Sequence, residues 1–206
     1  MSELSFYDQQ QAQALVECIG FLSQKGWSPA TSTNYSIRLD SPEELLISRS
    51  GVDKAQFRST DLIVIDLSGN LKAPAPGLKS SAETEIHTAL YRRFPEARCV
   101  LHTHSLLGTW LSQKNLAAGH LSFSGWEIQK GLTGITTHTG TVRLPIVPND
   151  QDMANILQAM EPHWATRPHG FLIAGHGLYT WGKDVAEAKR HIETYEFLFE
   201  LHRLGA

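Results

Sequence analysis

The heptapeptide Cys99-Val-Leu-His-Thr-His-Ser105 constrains this chain more than any other stretch. Cys99, Val100 and Leu101 form the kind of apolar run that fills a buried strand, and the run ends in two histidines one residue apart. Side chains alternate between the faces of a strand, so His102 and His104 share one face and can reach a single metal ion. Ser105 is placed to cap a following helix. The pair therefore stands at the C-terminal end of its strand, where ligands bind in open α/β sheets. An H-x-H pair alone is equally a strand with histidines on its solvent face. A second apolar run, Gly170-Phe-Leu-Ile-Ala-Gly-His-Gly-Leu178, brings His176 to a turn between two glycines. Three neutral imidazoles with a coordination position left open describe a catalytic zinc site, and the same donors also suit iron, cobalt or nickel.

Ten histidines make chance clusters a concern. His120, His138, His163, His191 and His202 lie in polar loop or helix contexts with no partner pattern, and His169 precedes a core strand without an evident role. His87 stands one helical turn from Glu83 and could orient it. Only His102, His104 and His176 are delivered into a cleft by core strands.

A chain of 206 residues with 41% hydrophobic and 19% charged residues reads as a single globular domain, 1–206, able to bury a substantial core. A net charge of −3 offers no basic face for nucleic acid or membrane. The first residues have no basic segment followed by an apolar core, and no run approaches the length of a membrane span. Cys18 and Cys99 make no disulfide framework. The expectation is a cytoplasmic protein.

The apolar spacing of Ala12, Leu15, Val16, Ile19 and Leu22 predicts a helix from Ser5 to Lys25, capped by Ser5 and stopped by Gly26. Residues 30–39 open with small polar side chains and continue as a strand, a hydroxyl-rich turn that can also donate to an anion. Glu44–Gly51 is a strand entering a glycine turn. There Ser50, Gly51 and Lys54 can cradle a phosphate with backbone N–H groups and positive charge. Asp61–Leu67 is a core strand ended by Ser68-Gly69-Asn70, and Ala73–Gly77 reads as a stiff loop. Ser81-Ala82-Glu83 begins a helix whose Glu83 answers the helix dipole. Leu106–Lys114 continues as a helix, and Glu127 and Lys130 form an i,i+3 pair on a short helical segment. Gly134–Val147 is strand material halted by Pro145 and Pro148, and Asn149 or Asp150 caps a helix to about Met160. Gly170–Trp181 is strand–turn–strand, and the last helix opens with Asp184 and Glu187 in capping-box spacing. Strands alternating with helices argue for a layered α/β domain.

Asn34, the Ser50-Gly51…Lys54 turn, Ser81-Ala82-Glu83 with His87, His102-Thr103-His104-Ser105 and Gly175-His176-Gly177 occur in the order found in the class II aldolase/adducin superfamily, which the chain resembles from about residue 8 to 205. Within it, Trp126–Leu132 and His176–Gly182 are most similar to its dehydratases. The resemblance implies a three-layer α/β/α fold with a largely antiparallel central sheet, and a homotetramer with sites near subunit interfaces. It also implies one Zn²⁺ per subunit on His102, His104 and His176, and a sugar-phosphate substrate. By similarity Glu127 matches the acid/base of the dehydratases, with Lys130 on the same segment, and Glu83 that of the aldolases. Ser50, Gly51, Lys54 and Ser81 would hold phosphate, with Asn34 nearby. The aldolase pattern prefers serine at position 82 and glycine at position 33, where this chain has Ala82 and Thr33. Dehydration is therefore expected ahead of aldol cleavage or epimerisation, and a non-enzymatic adducin-like scaffold is disfavoured because all three histidines are present.

Overall fold

The computed structural model describes residues 4–41, 43–73, 77–166 and 169–205. The expected helices form where the apolar spacing places them. α1 (Phe6–Gln24) is capped by the Ser5 hydroxyl, which accepts from the Asp8 N–H. α3 (Leu106–Lys114) is capped in the same way, Ser105 accepting from Gly108 N–H. α5 (Val185–Arg203) is capped by Asp184, which accepts from Glu187 N–H. The Glu187 carboxylate turns instead to Lys183 N–H at 2.8 Å, so the capping box is half made.

The strands β1 (Tyr35–Arg38), β2 (Glu44–Ser48), β3 (Leu62–Asp66), β4 (Cys99–Thr103), β5 (His120–Phe123), β6 (Val142–Val147), β7 (Gly170–Ile173) and β8 (Gly177–Gly182) form one sheet. Their order is β3-β2-β1-β4-β8-β7-β6-β5. Every neighbouring pair is antiparallel except β6 with β7. β4 lies in the interior of the sheet, which is why its apolar run is buried on both faces. Leu101 faces a core built with Leu15, Ile19, Leu111, Tyr195 and Phe199 from α1, α3 and α5. Val100 faces the opposite core, with Ile86 and Leu90 of α2 (Thr84–Arg93) and Ile156 and Met160 of α4 (Met153–Met160). Helices thus cover both faces of a largely antiparallel sheet, as the resemblance implied. Each large apolar side chain so buried contributes about 1.5–3 kcal/mol.

Several expectations shift. Pro145 lies inside β6 rather than halting it, opposite His120, and the adjacent Ile146 N–H bonds Gly119 O at 2.9 Å. β5, His120-Leu-Ser-Phe, is too short to show a period in the sequence. Asp152, not Asn149 or Asp150, caps α4. The helix after Ser81 begins at Thr84, with Glu83 just before it. The turns 54–56 and 127–131 are 3-10 rather than α. Of the proline-rich loop, residues 74–76 lie outside the described residues.

Candidate metal centre

The centre forms where β4 and the β7–β8 turn meet. His102 is the penultimate residue of β4, its backbone N–H bonded to Asn34 O at 3.0 Å, and its ring stacks on Tyr179 with centroids 3.9 Å apart. The ring Nδ1–H donates to Leu178 O at 3.0 Å, which leaves Nε2 as a bare lone pair facing outward. His104 follows the strand, held by its N–H to Trp27 O at 2.9 Å, and its Nε2 lies 2.7 Å from that of His102. His176 arrives from the turn. Gly175 there has φ +64°, and a Cβ on Gly177 would lie 2.0 Å from Thr103 O, so neither position accepts a side chain without strain. The Thr109 hydroxyl holds His176 O at 2.9 Å.

One ligand atom from each of His102, His104, His176 and Glu83 lies within 4.8 Å of the others. Glu83 Oε1 is 2.8 Å from His176 Nε2 and 3.6 Å from His102 Nε2. Burial pushes the His102 ring well below its usual pKa and that of His104 down to about 4, so both rings are neutral. Burial works against the Glu83 anion, but His102, His176 and the Asn34 hydrogen bond outweigh it and hold the carboxyl well below the usual range. Imidazole lone pairs and an ionised carboxylate converging on one point are the donor set of a divalent transition metal. The residues fit such an ion.

Glu83 is itself held. The Asn34 amide N–H₂ donates to Glu83 Oε2, and Asn34 Oδ1 accepts from His87 Nε2–H. The other nitrogen, His87 Nδ1, accepts from the Ser36 hydroxyl at 2.7 Å, which is also 2.9 Å from the Tyr91 hydroxyl. His87 therefore orients Glu83 through Asn34 rather than by direct contact.

Beside His104 and Glu83 opens a cavity of about 190 Å³, lined by Ser32, Asn34, Arg49, Ser50 and Ser81 among others. It gathers hydroxyls expected at a phosphate. Arg49 was not singled out in the sequence, where it reads as an ordinary surface charge. In the structure its Nε and Nη2 both donate to Asp61 Oδ1, at 2.9 and 2.7 Å. Lys54 is buried with its ammonium on Val52 O at 3.0 Å and does not line this cavity. Gly51 occupies the turn after β2 with φ +78°. Thr33, where the aldolase pattern prefers glycine, has φ +72°, a left-handed conformation costing a β-branched residue about 1–2 kcal/mol. Glu127 and Lys130 stand apart. Glu127 is exposed, paired with Lys130 and 3.3 Å from His138, and belongs neither to the histidine cluster nor to the lining of this cavity.

The sequence profile of the class II aldolase and adducin N-terminal domain family matches residues 13–202. The chain belongs to this family. Among its relatives, a methylthioribulose-1-phosphate dehydratase of Picosynechococcus sp. is 47% identical over 198 residues, covering 96% of this chain and 93% of that protein. One of Pseudomonas fluorescens is 47% identical over 199 residues, covering 96% and 94%. These relatives bear out the resemblance to the dehydratases of the superfamily. Among solved structures, an L-fuculose 1-phosphate aldolase superposes with a TM-score of 0.77 at 18% identity, covering all of this chain and 89% of that one, which speaks for the fold alone. The L-fuculose-1-phosphate aldolase of Thermus thermophilus gives 0.72 at 25% identity, covering 96% and 98%. Among the described residues, no helix of this class II aldolase-family chain is long and apolar enough to cross a membrane.

Proposed function

We propose that the protein is a zinc-dependent hydro-lyase that converts 5-methylthioribulose 1-phosphate to the 2,3-diketo-5-methylthiopentyl 1-phosphate and water in methionine salvage. The carrying observation is the complete cluster of His102, His104, His176 and Glu83 in a chain 47% identical, nearly end to end, to proteins named for that activity.

His102, His104 and His176 would hold one Zn²⁺ per subunit. The bound ion supplies Lewis acidity at the substrate oxygens beside the C3 proton. The protein does the rest. Ser50, Gly51 and Ser81 would donate to the phosphate, Arg49 adds positive charge at the cavity lining, and Lys54 would add its charge from outside that lining. Glu127 is assigned the removal of the C3 proton and its return to the C4 hydroxyl, which departs as water. The remaining enol tautomerises to the diketone. Glu127 is an exposed carboxylate, ionised at neutral pH and paired with Lys130, so it has the charge form a proton acceptor needs. Positioned proton transfer of this kind contributes about 10²–10⁴ in rate. Glu127 lies outside the cluster of its own chain, so we place its action in an assembled homotetramer with sites near subunit interfaces, in the cytoplasm.

The place of Glu83 against the histidines favours a second reading, in which that carboxylate moves the proton and the reaction is aldol cleavage. Incubating the zinc-loaded protein with methylthioribulose 1-phosphate and weighing the products separates the two. Loss of one water, abolished by a chelator and restored by zinc, supports the dehydratase. Fragmentation into a ketose phosphate and an aldehyde supports the aldolase.

A further inference from the structure

Away from the metal centre, the opposite end of β8 carries a second group of histidines that the chemistry above leaves unused. They close on one residue, Thr133. His191 of α5 is 3% exposed, and its Nδ1–H donates to Trp181 O at 2.9 Å. That bond fixes the tautomer and leaves Nε2 to accept the Thr133 backbone N–H at 3.2 Å and to lie 3.0 Å from the Thr133 hydroxyl. His169 Nε2–H donates to Thr133 O. The Thr133 hydroxyl donates to Glu187 Oε1 at 2.7 Å and receives Arg190 Nη2 at 3.1 Å. The backbone N–H, the carbonyl and the side chain of one residue are thus all engaged by α5 and by the residue entering β7.

Thr133 ends the segment that begins at Glu127. Between them, Gln129 is fully buried and bonds Gly140 O at 2.9 Å, with its own carbonyl side accepting Trp126 N–H at 3.0 Å. Leu132 is 1% exposed in the core. Gly131 packs so closely on α5 that a Cβ there would lie 2.1 Å from Thr194 Oγ1. Among the described residues, the Glu127 carboxylate meets only Lys130 and His138, which are exposed as it is. The direction in which that carboxylate points is set by the turn, and the turn is set by its anchors.

We propose that His191 is a positioning residue, fixing the Glu127–Thr133 turn through the Thr133 backbone and thereby the aim of the Glu127 carboxylate. The inference rests on the assignment of Glu127 as the proton-transfer group. A neutral imidazole with Nδ1 protonated accepts the Thr133 N–H. An aliphatic side chain leaves that N–H and the Trp181 carbonyl without partners, and a displacement near 1 Å at a transferring group lowers rate by about 10².

The test uses the zinc-loaded holoenzyme and a double-mutant cycle. His191→Leu is expected to lower kcat at least tenfold while KM and zinc content hold, and to speed amide hydrogen exchange across 127–133. His191→Gln, whose amide oxygen can accept the Thr133 N–H, is expected to restore most of the loss. In a Glu127→Gln background, His191→Leu is expected to cost nothing further. Thr133→Ala serves as the milder variant should His191→Leu not fold, with a loss of about threefold that likewise vanishes beside Glu127→Gln. Wild-type turnover by Glu127→Gln would remove the Glu127 assignment itself, and the proposal with it. An inactive Glu127→Gln enzyme together with an unchanged kcat in His191→Leu, or an equal fold-loss in both backgrounds, would overturn the positioning role alone.

Discussion

The Glu83 carboxylate stands 2.8 Å from Nε2 of His176 and is tied through its other oxygen to the Asn34 amide. One oxygen thus faces the three clustered histidines and the other is fixed from behind, a placement that suits Glu83 as a fourth donor to an ion there. Glu83→Gln keeps the shape and removes the charge. We expect zinc affinity to fall about 10–100-fold, measured by competition with a chromophoric chelator. Unchanged affinity would place Glu83 outside the donor set. If the substitution depresses turnover more than Glu127→Gln does, the aldol reading gains.

His87 has no solvent contact and bonds both Asn34 and Ser36. His87→Leu strips a donor from Asn34 Oδ1 and an acceptor from the Ser36 hydroxyl, two buried polar groups. The expected loss is about 2–3 kcal/mol in urea unfolding of the metal-free protein. His87→Gln should lose less. Equal stability of the leucine variant and the wild type would show that Asn34 is held by something else.

Gly177 is the hinge on which His176 turns into the site. With the Thr103 carbonyl 2.0 Å from the position of a Cβ, Gly177→Ala must push β8 away from β4. We expect a destabilisation of about 3 kcal/mol and a fall in bound zinc below one per chain. A variant that keeps both wild-type stability and full zinc would contradict the close approach of the two strands.

His87 and His191 also predict an acid limit. Burial pushes their pKa values down to about 3 and about 4 from an ordinary 6.5, and the neighbouring His169 lowers His191 further while Glu187 works the other way. Both rings are neutral when folded and take up protons on unfolding. Their contribution to stability is therefore complete above pH 6.5 and is lost as pH falls toward 4 and 3. At pH 5 the loss is about 2 kcal/mol for each ring. Urea midpoints of the metal-free protein at pH 7.5 and pH 5 measure it, and His191→Gln should show a smaller difference than the wild type. A midpoint that does not move between those two values would contradict the buried neutral rings.

Much of the centre was legible in the chain because its signals are local. A strand's two-residue period puts His102 and His104 on one face, flanking glycines mark the His176 turn, and Ser5, Ser105 and Asp184 cap their helices through bonds spanning only three residues. Such relations depend on the backbone period and on neighbours in sequence, and they hold in any fold that keeps the element. What only the tertiary structure decided are relations between distant residues. Asn34 reads as a candidate donor to an anion, yet its amide is committed to Glu83 and His87, about 50 positions away. Lys54 reads as a phosphate ligand, yet burial turns its ammonium onto Val52 O, while Arg49 lines the cavity. His191 and His169 have no sequence pattern at all, because Thr133, which joins them, is 58 and 36 residues away. Periodicity and capping say which face and which end a side chain occupies. Which groups then meet is set by how the sheet and its two helical layers close, and that closing depends on all the packed side chains at once.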